Sequence, residues 1–580
     1  METRYKAVLL IILAVIAGSI VYMASPPDWP TTGRIGLTIY TNTGDGIIEA
    51  KAFFNISESG NVVVPDSSGG YNVSVDYAAP AKFSPGSKIV VKVLVSRNGE
   101  NICPEIAGSK IVVKLDDGRE YTYHPAKRDG DTLVYEIQPY IHVREAGFIF
   151  GSAIVLFAGA SVIHYVITGL YVTIALVLVG IQPSKLAFAY YMKPLIMVFI
   201  AGSGIELVIR KWGLDKRIAR LLSRIARSPY TLVIGVSFLG SFLSMWMSNT
   251  AATYVMLPLA TALLCNRKLD RCGKFSSIVM VSLAMGASIG GTATLIGTPP
   301  NLIAAGFLND IVYGSEEINF YKWLLIGLPA WIIGYGVGVI LAIIYMRIMA
   351  SDELPTVYKA LRETHEVPSE PMTGKQWLAA AAILFLVAMW ITEPIHHVST
   401  GLAAGLGLLV FFASGLLDPK RDWKKLSWDL MVLFGAGLTL GSGLMNTGWA
   451  DYILGLLQGV ESLGWLSLLI IGFTAYLIGT FISSHTSASA FIAPLTIPLG
   501  MLIGPVIGVS PETGAALATI VAVVSLNNAI ALPISTPPSA IVYASGGAKL
   551  RDLLTYGFIF GVTVNLLIIL LLTGYWASIL

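Results

Sequence analysis

Two short polar strings interrupt apolar runs of this chain, and their residue types suit ion binding. Ser248-Asn249-Thr250-Ala251-Ala252 follows the apolar residues 232–247, and Ser484-His485-Thr486-Ser487-Ala488 follows the apolar residues 466–482. A second pair, Gly290-Gly291-Thr292-Ala293-Thr294-Leu295-Ile296-Gly297-Thr298-Pro299-Pro300-Asn301 and Asn527-Asn528-Ala529-Ile530-Ala531-Leu532-Pro533-Ile534-Ser535-Thr536-Pro537-Pro538-Ser539, crowds helix breakers into apolar sequence. Proline there removes a backbone donor and clashes with the preceding turn. Backbone released from a helix inside hydrocarbon survives only where protein buries it or it lines a watery cavity. Paired interruptions at matching places in two halves are the sequence pointer to a midplane site in carriers. Small polar residues also join helices, but duplication of both motifs favours a site built twice.

A compact cation wants several carbonyl and hydroxyl oxygens. Ser244, Ser248, Asn249, Gly290, Gly291 and Thr292 offer a first such cage, and Thr480, Ser484, His485, Asn528 and Ala529 a second. Between them an anion finds donors on Asn249, Thr250, Ser484, His485 and Thr486, and at the helix starts Thr298-Pro299 and Thr536-Pro537, where helix dipoles favour negative charge. No Arg or Lys falls within either motif pair, so neutralisation rests on bound cations and dipoles, which ties anion binding to cation binding. His485 can titrate near neutral pH. Its readings are proton coupling, donation to a substrate carboxylate, or a hydrogen bond across the tip; a neutral imidazole is a poor sodium ligand. Asn527 and Asn528 either supply an amide oxygen there or bond helix to helix.

A third echo pairs residues 194–202 with 429–437, and Trp212-Gly213 with Gly448-Trp449. With these motifs, residues 147–580 resemble the divalent anion/sodium symporter family, membrane carriers of dicarboxylates, citrate or sulfate. The match is close in the first half. In the second, His485 stands where an asparagine is expected, and Ser539 replaces the asparagine after the prolines. The resemblance implies two sodium sites, sodium as the transported coupling ion with no organic cofactor, a homodimer, and elevator-type movement of a site-bearing part against a scaffold.

These motifs need a membrane around them. The 580 residues are 55% hydrophobic with mean hydropathy +0.71, and only 13% are charged. A net charge of +3 carries no nucleic-acid signal. The expected fold is an α-helical polytopic membrane protein of about eleven spans plus two re-entrant hairpins in two inverted repeats, with an extracytoplasmic all-β insert after the first helix. Residues 1–25 read as a signal-anchor helix behind Arg4 and Lys6. Residues 26–146 read as a β-sandwich, from alternating runs such as 88–95 and 110–115 and the turns Arg97-Asn98-Gly99 and Asp116-Asp117-Gly118. Sequons at Asn55 and Asn72 suit an exterior location. The first repeat spans 147–349, a cytoplasmic linker 350–374, and the second repeat 375–580.

Loop charge orients the chain. Arg210, Lys211, Lys216, Arg217, Arg220, Arg224 and Arg227 crowd one loop, which is expected in the cytoplasm, and Ile218, Leu221, Leu222 and Ile225 interleave with them as an interfacial helix. Residues 266–274 and 419–425 are also basic; 309–317 is acidic and expected outside. This places the N-terminus in the cytoplasm of a plasma-membrane protein, with residues 26–146 and the C-terminus outside. Glu206, four residues before Arg210, reads as half of an interface ion pair. His164 marks an inner turn, and His396 and His397 lie in an outer loop. Trp323, Trp377, Trp423, Trp428 and Trp576 read as interface anchors. Cys265 and Cys272 have no nearby partner for a metal. The leading function is sodium-coupled symport of small divalent anions. The alternatives are a proton-coupled carrier or exchanger using His485, and a transporter-derived receptor sensing through the β-domain. The chain has no HExxH and no facing carboxylate pair in its spans, so an enzyme is not expected.

Overall fold

The computed structural model describes the chain except residues 1, 30–33, 44–45, 56–58, 68–69, 80–86, 116–119, 124, 138–140, 160–161, 266–272, 363–370, 450–451 and 454–458. The Asn55 sequon, the Asp116-Asp117-Gly118 turn, Cys272 and most of the 266–274 loop therefore lie wholly or partly outside the described residues.

Helix α1 (Glu2–Ala24) leads into ten strands: β1 (Arg34–Asn42), β2 (Ile47–Asn55), β3 (Gly60–Pro65), β4 (Asn72–Ala78), β5 (Ile89–Arg97), β6 (Glu100–Ile102), β7 (Glu105–Leu115), β8 (Glu120–Tyr123), β9 (Lys127–Asp129) and β10 (Thr132–Ile137). They form two antiparallel sheets, ordered β2-β1-β7-β8 and β3-β4-β5-β10-β9, with β6 paired to β5. Alternate residues point inward: Ile35, Leu37 and Ile39 on β1, and Ile89, Val91, Val93 and Val95 on β5, are all buried. Phe54 of one sheet stacks on Tyr77 of the other at 4.2 Å. Arg97 pairs with Glu100 around Asn98 (φ 52) and Gly99 (φ 84), the two positive φ values of a tight hairpin turn.

The helical part opens with α2 (Val143–Ala158), α3 (Tyr165–Leu178), α4 (Ser184–Ala189), α5 (Pro194–Lys211) and α6 (Leu214–Ile225). A hairpin of α7 (Pro229–Ser244) and α8 (Asn249–Cys265) follows, then α9 (Lys274–Gly290), a break, and α10 (Pro299–Phe307). Next come α11 (Phe320–Met349), α12 (Leu354–Arg362), α13 (Gly374–Ile391), α14 (Glu393–His396), α15 (Thr400–Ala413) and α16 (Trp428–Thr447). The second hairpin is α17 (Trp465–Phe481) and α18 (His485–Val506); α19 (Pro511–Asn527), a second break, α20 (Pro537–Ala544) and α21 (Leu550–Ile579) complete the chain. Proline opens α7, α10, α19 and α20, at the position where its missing N–H costs nothing. Seven helices among the described residues are long and apolar enough to cross a membrane. The shorter apolar helices include α7, α8, α9, α17 and α19, each of which has one end at a tip or a break.

Contacts sort the helix ends into two sets. At one end Lys193 meets Asp310 at 2.5 Å, the Tyr452 hydroxyl donates to Ala24 O, and Trp576 donates to Ile326 O. At the other, Lys211 meets Asp422 at 2.6 Å, Arg217 donates to Gln376, and the Lys549 N–H donates to Ser277. The first hairpin stands on the Lys211 end, where Arg347 of the last α11 turn donates to Tyr230. The second stands on the Lys193 end, since α19 starts beside residues 308–313. The hairpins thus enter from opposite ends. The halves also interlock: α10 packs against α18, and α20 against α8, so each short helix after a break lies on the other half's hairpin.

Several expectations change. Trp323 and Trp576 are fully buried rather than interfacial; their indole N–H groups donate to Thr292 O and Ile326 O, which satisfies them away from water. Trp377 and Trp423 are exposed as expected. The stretch between the repeats holds α12, whose Val357 and Leu361 are buried. Residues Leu308–Tyr313 form a π-helix where only a loop was expected. The end of α1 is pinned: Trp449 donates to Ser25 Oγ, and Arg144 to Ser25 O.

Candidate functional site at the helix breaks

At the first tip α7 ends at Ser244, and nearby α9 ends at Gly290; both present carbonyl-rich C-terminal ends, the negative poles of their dipoles. Helices α8 and α10 begin at Asn249 and Pro299, presenting N–H-rich ends of opposite polarity. One break therefore carries a pole for each sign of ion.

Packing holds these ends together. Helix α9 approaches α7 so closely that a Cβ on Gly286 or Gly290 would lie 2.2 Å from Ser237 O or Ser241 O. Ser244 Oγ lies 2.6 Å from both Asn249 Oδ1 and Ala287 O, and its single proton serves one of them at a time. A Cβ on Gly291 would sit 2.5 Å from Asn249 Oδ1 and 3.1 Å from Thr298 Cβ. The break is tied to the tip by Thr294 Oγ1, which donates to Met245 O at 2.6 Å. Thr292 Oγ1 and Ser288 Oγ are buried without a hydrogen-bond partner. Of the first set of expected residues, Ser244, Asn249, Gly290 and Gly291 are brought together; Thr292 lies on the same break with its hydroxyl unused. Ser248 turns elsewhere: its Oγ accepts the Ala251 N–H, and its own N–H donates to Glu206 Oε2 at 3.0 Å. Sequence reading missed Ser288 and this Glu206 contact. The Glu206–Arg210 pair is present at 3.3 Å, but its carboxylate also reaches the tip.

The second tip is built differently. Ser484 caps α18 by accepting the Ser487 N–H, and His485 Nε2 lies 3.2 Å from Gly479 O, closing the imidazole onto the helix it follows. Thr480 Oγ1 donates to Tyr476 O, and Thr480 O accepts Ser535 Oγ at 2.7 Å, tying this tip to its break. Thr486 O accepts Ser489 Oγ. Asn528 Nδ2 donates to Asn565 Oδ1 at 2.7 Å, so this amide bonds helix to helix; Ala529 is buried beside Gly479. Thr536 caps α20 through Ser539, and Pro537 is exposed. The breaks meet across the halves at Asn301, whose Nδ2 donates to Gly291 O and Thr294 O while its Oδ1 accepts Asn527 Nδ2 at 3.0 Å.

A cavity of about 1420 Å³ opens at the Lys211 end and reaches Ser248, Thr250 and Ala251. Its lining includes Glu206, Arg210, Lys216, Arg421 and Asp422, but neither His485 nor Thr486. The sequence motifs hold no cation, yet tertiary packing sets several at their door. Asp422 lies in the loop at the mouth. Burial alone would raise its pKa, but hydrogen bonds from Lys211, Lys425 and the Asp418 N–H hold it well below the usual carboxylate range.

Several known proteins are similar to this chain in sequence. A family model described as citrate transporter matches residues 153–519, leaving the strands outside. A protein named uncharacterized transporter, from Haemophilus influenzae, is 28% identical over 458 residues, covering 77% of this chain and 94% of its own. The sodium-dependent dicarboxylate transporter SdcS of Staphylococcus saprophyticus is 31% identical over 418 residues, covering 66% of this chain and 76% of its own. Among solved structures, the YdaH transporter of Alcanivorax borkumensis aligns with a TM-score of 0.45 at 16% identity, over 67% of this chain and 87% of that one.

Proposed function

The chain belongs to the citrate transporter family, and we propose that it moves small divalent anions, dicarboxylates such as succinate, malate or citrate first and sulfate second, in symport with sodium ions. As a transporter it is not an enzyme. The observation that carries the sodium reading is the cluster of Ser244 Oγ, Asn249 Oδ1 and the Ala287 carbonyl between two helix C-terminal ends, with the unpartnered Thr292 and Ser288 hydroxyls close by in sequence on α9 and its break. Unwound backbone and helix C-termini are the groups that hold sodium in carriers. The relative SdcS, named sodium-dependent, points the same way.

In this reading the anion binds at the N-terminal ends of α8, α10, α18 and α20, with Asn249, Thr250, Thr298 and Thr486 as donors, and is neutralised chiefly by the bound cation. A second sodium uses Thr480, Ser484 and the backbone at Asn528 and Ala529. His485 bonds the preceding helix α17 and contributes no ligand, a view supported by its contact with Gly479 O. The protein works as a homodimer in the plasma membrane by alternating access. The basic Lys211 end faces the cytoplasm with the N-terminus, and the β-domain and C-terminus lie outside. Uptake of labelled succinate into proteoliposomes tests this: a sodium gradient should drive it and a pH gradient alone should not. Uptake driven by protons without sodium would replace symport with the His485-dependent alternative.

A further inference from the structure

A carboxylate from outside the first hairpin reaches its tip. Glu206 belongs to α5, which packs on α15, whereas the hairpin packs on α9. Its Oε2 accepts the Ser248 N–H at 3.0 Å and its Oε1 takes Arg210 at 3.3 Å. Helix α8 does not need it as a cap, because Ser248 Oγ already accepts the Ala251 N–H. Glu206, Arg210, Ser248 and Thr250 all line the 1420 Å³ cavity. A backbone N–H at the head of a helix, facing a cavity, is where an anion's oxygen would settle. Here a carboxylate of the chain itself already sits there, with its own counter-cation.

Resting on the reading of this tip as part of an anion site, we propose that Glu206 is a built-in competitor for the transported dianion. Its carboxylate occupies the Ser248 N–H from the α5 side and swings away when a substrate carboxylate arrives. Arg210, exposed over more than half of its side chain, is then free to face the incoming anion. Such a group lowers affinity at the cavity face and helps release, since the chain refills the donor as the substrate leaves.

The test uses Tyr254→Cys, at a position that lines the same cavity one turn of α8 beyond Thr250, in the full chain with Cys103, Cys265 and Cys272 replaced by serine. Labelling by an anionic and by a cationic thiol reagent is timed with increasing succinate, alone and with Glu206→Ala, Glu206→Gln or Glu206→Asp. The competitor predicts that Glu206→Ala and Glu206→Asp, whose carboxylate falls a methylene short of the N–H, both speed anionic labelling and both lower the half-protecting succinate concentration, by about three- to tenfold. Glu206→Gln, which keeps a weaker neutral acceptor, should fall between. Cationic labelling should not rise in either. If Glu206→Asp behaves as the parent while Glu206→Ala does not, only charge matters and the competitor is overturned; unchanged rates in all variants overturn it equally. Succinate that protects in no variant refutes the dicarboxylate reading, while the reagent rates still decide whether Glu206 blocks the tip.

Discussion

Gly291→Ala probes the proposed cation cage with a single methyl group. The new Cβ would lie 2.5 Å from Asn249 Oδ1 and 3.1 Å from Thr298 Cβ. Ordinary contact requires roughly 3.4 Å, so the amide oxygen must retreat by about 0.9 Å. That same oxygen lies 2.6 Å from Ser244 Oγ, and the retreat carries it toward the limit of a hydrogen bond. Overpacking costs about 1–3 kcal/mol, and the weakened hydrogen bond about 0.5–1.5 kcal/mol more. If about half of this falls on the cation-bound state, the half-saturating sodium concentration rises about tenfold, at 1.4 kcal/mol per decade. The measurement is succinate uptake against sodium concentration, paired with sodium-dependent shifts in melting temperature of the purified protein. Gly405→Ala is the control, because a Cβ there meets nothing within 4 Å. Wild-type sodium activation in Gly291→Ala would refute the cage.

Three further outcomes are expected. Asn301→Leu strips partners from Gly291 O, Thr294 O and Asn527 Nδ2 at once, and should cost about 2–4 kcal/mol in chemical unfolding in detergent. Asp422 has a depressed folded pKa, so its stabilisation is complete above the unfolded carboxylate value and lost as pH falls through the folded one; wild type should therefore lose more melting temperature than Asp422→Asn between pH 5 and pH 3. His485→Asn should leave sodium-driven uptake within about threefold of wild type and its pH dependence unmoved, since His485 is bonded to Gly479 O; loss of pH-gradient-driven uptake in this variant would establish proton coupling instead.

Much of the site is readable from local chemistry. Proline and glycine in apolar sequence mark the breaks at 291–298 and 528–536, and Ser248 and Ser484 mark the tips, because these residues disfavour continuous helix wherever the chain goes. Asn98-Gly99 likewise specifies its hairpin through the φ values it tolerates. Which elements meet is another matter. In a membrane the lipid-facing and protein-facing sides of a helix are both apolar, so periodicity does not name a partner. Glu206 and Arg210 read correctly as an i, i+4 pair, yet nothing local shows that the carboxylate also holds a hairpin tip some forty residues on. Trp323 and Trp576 look like interface anchors until packing supplies carbonyls for their N–H groups. The chain's own residues determine where helices stop. The tertiary structure alone decides that Asn301 meets Asn527 and that each half's short helix lies on the other's hairpin, because those contacts join segments whose separation in sequence carries no local energy.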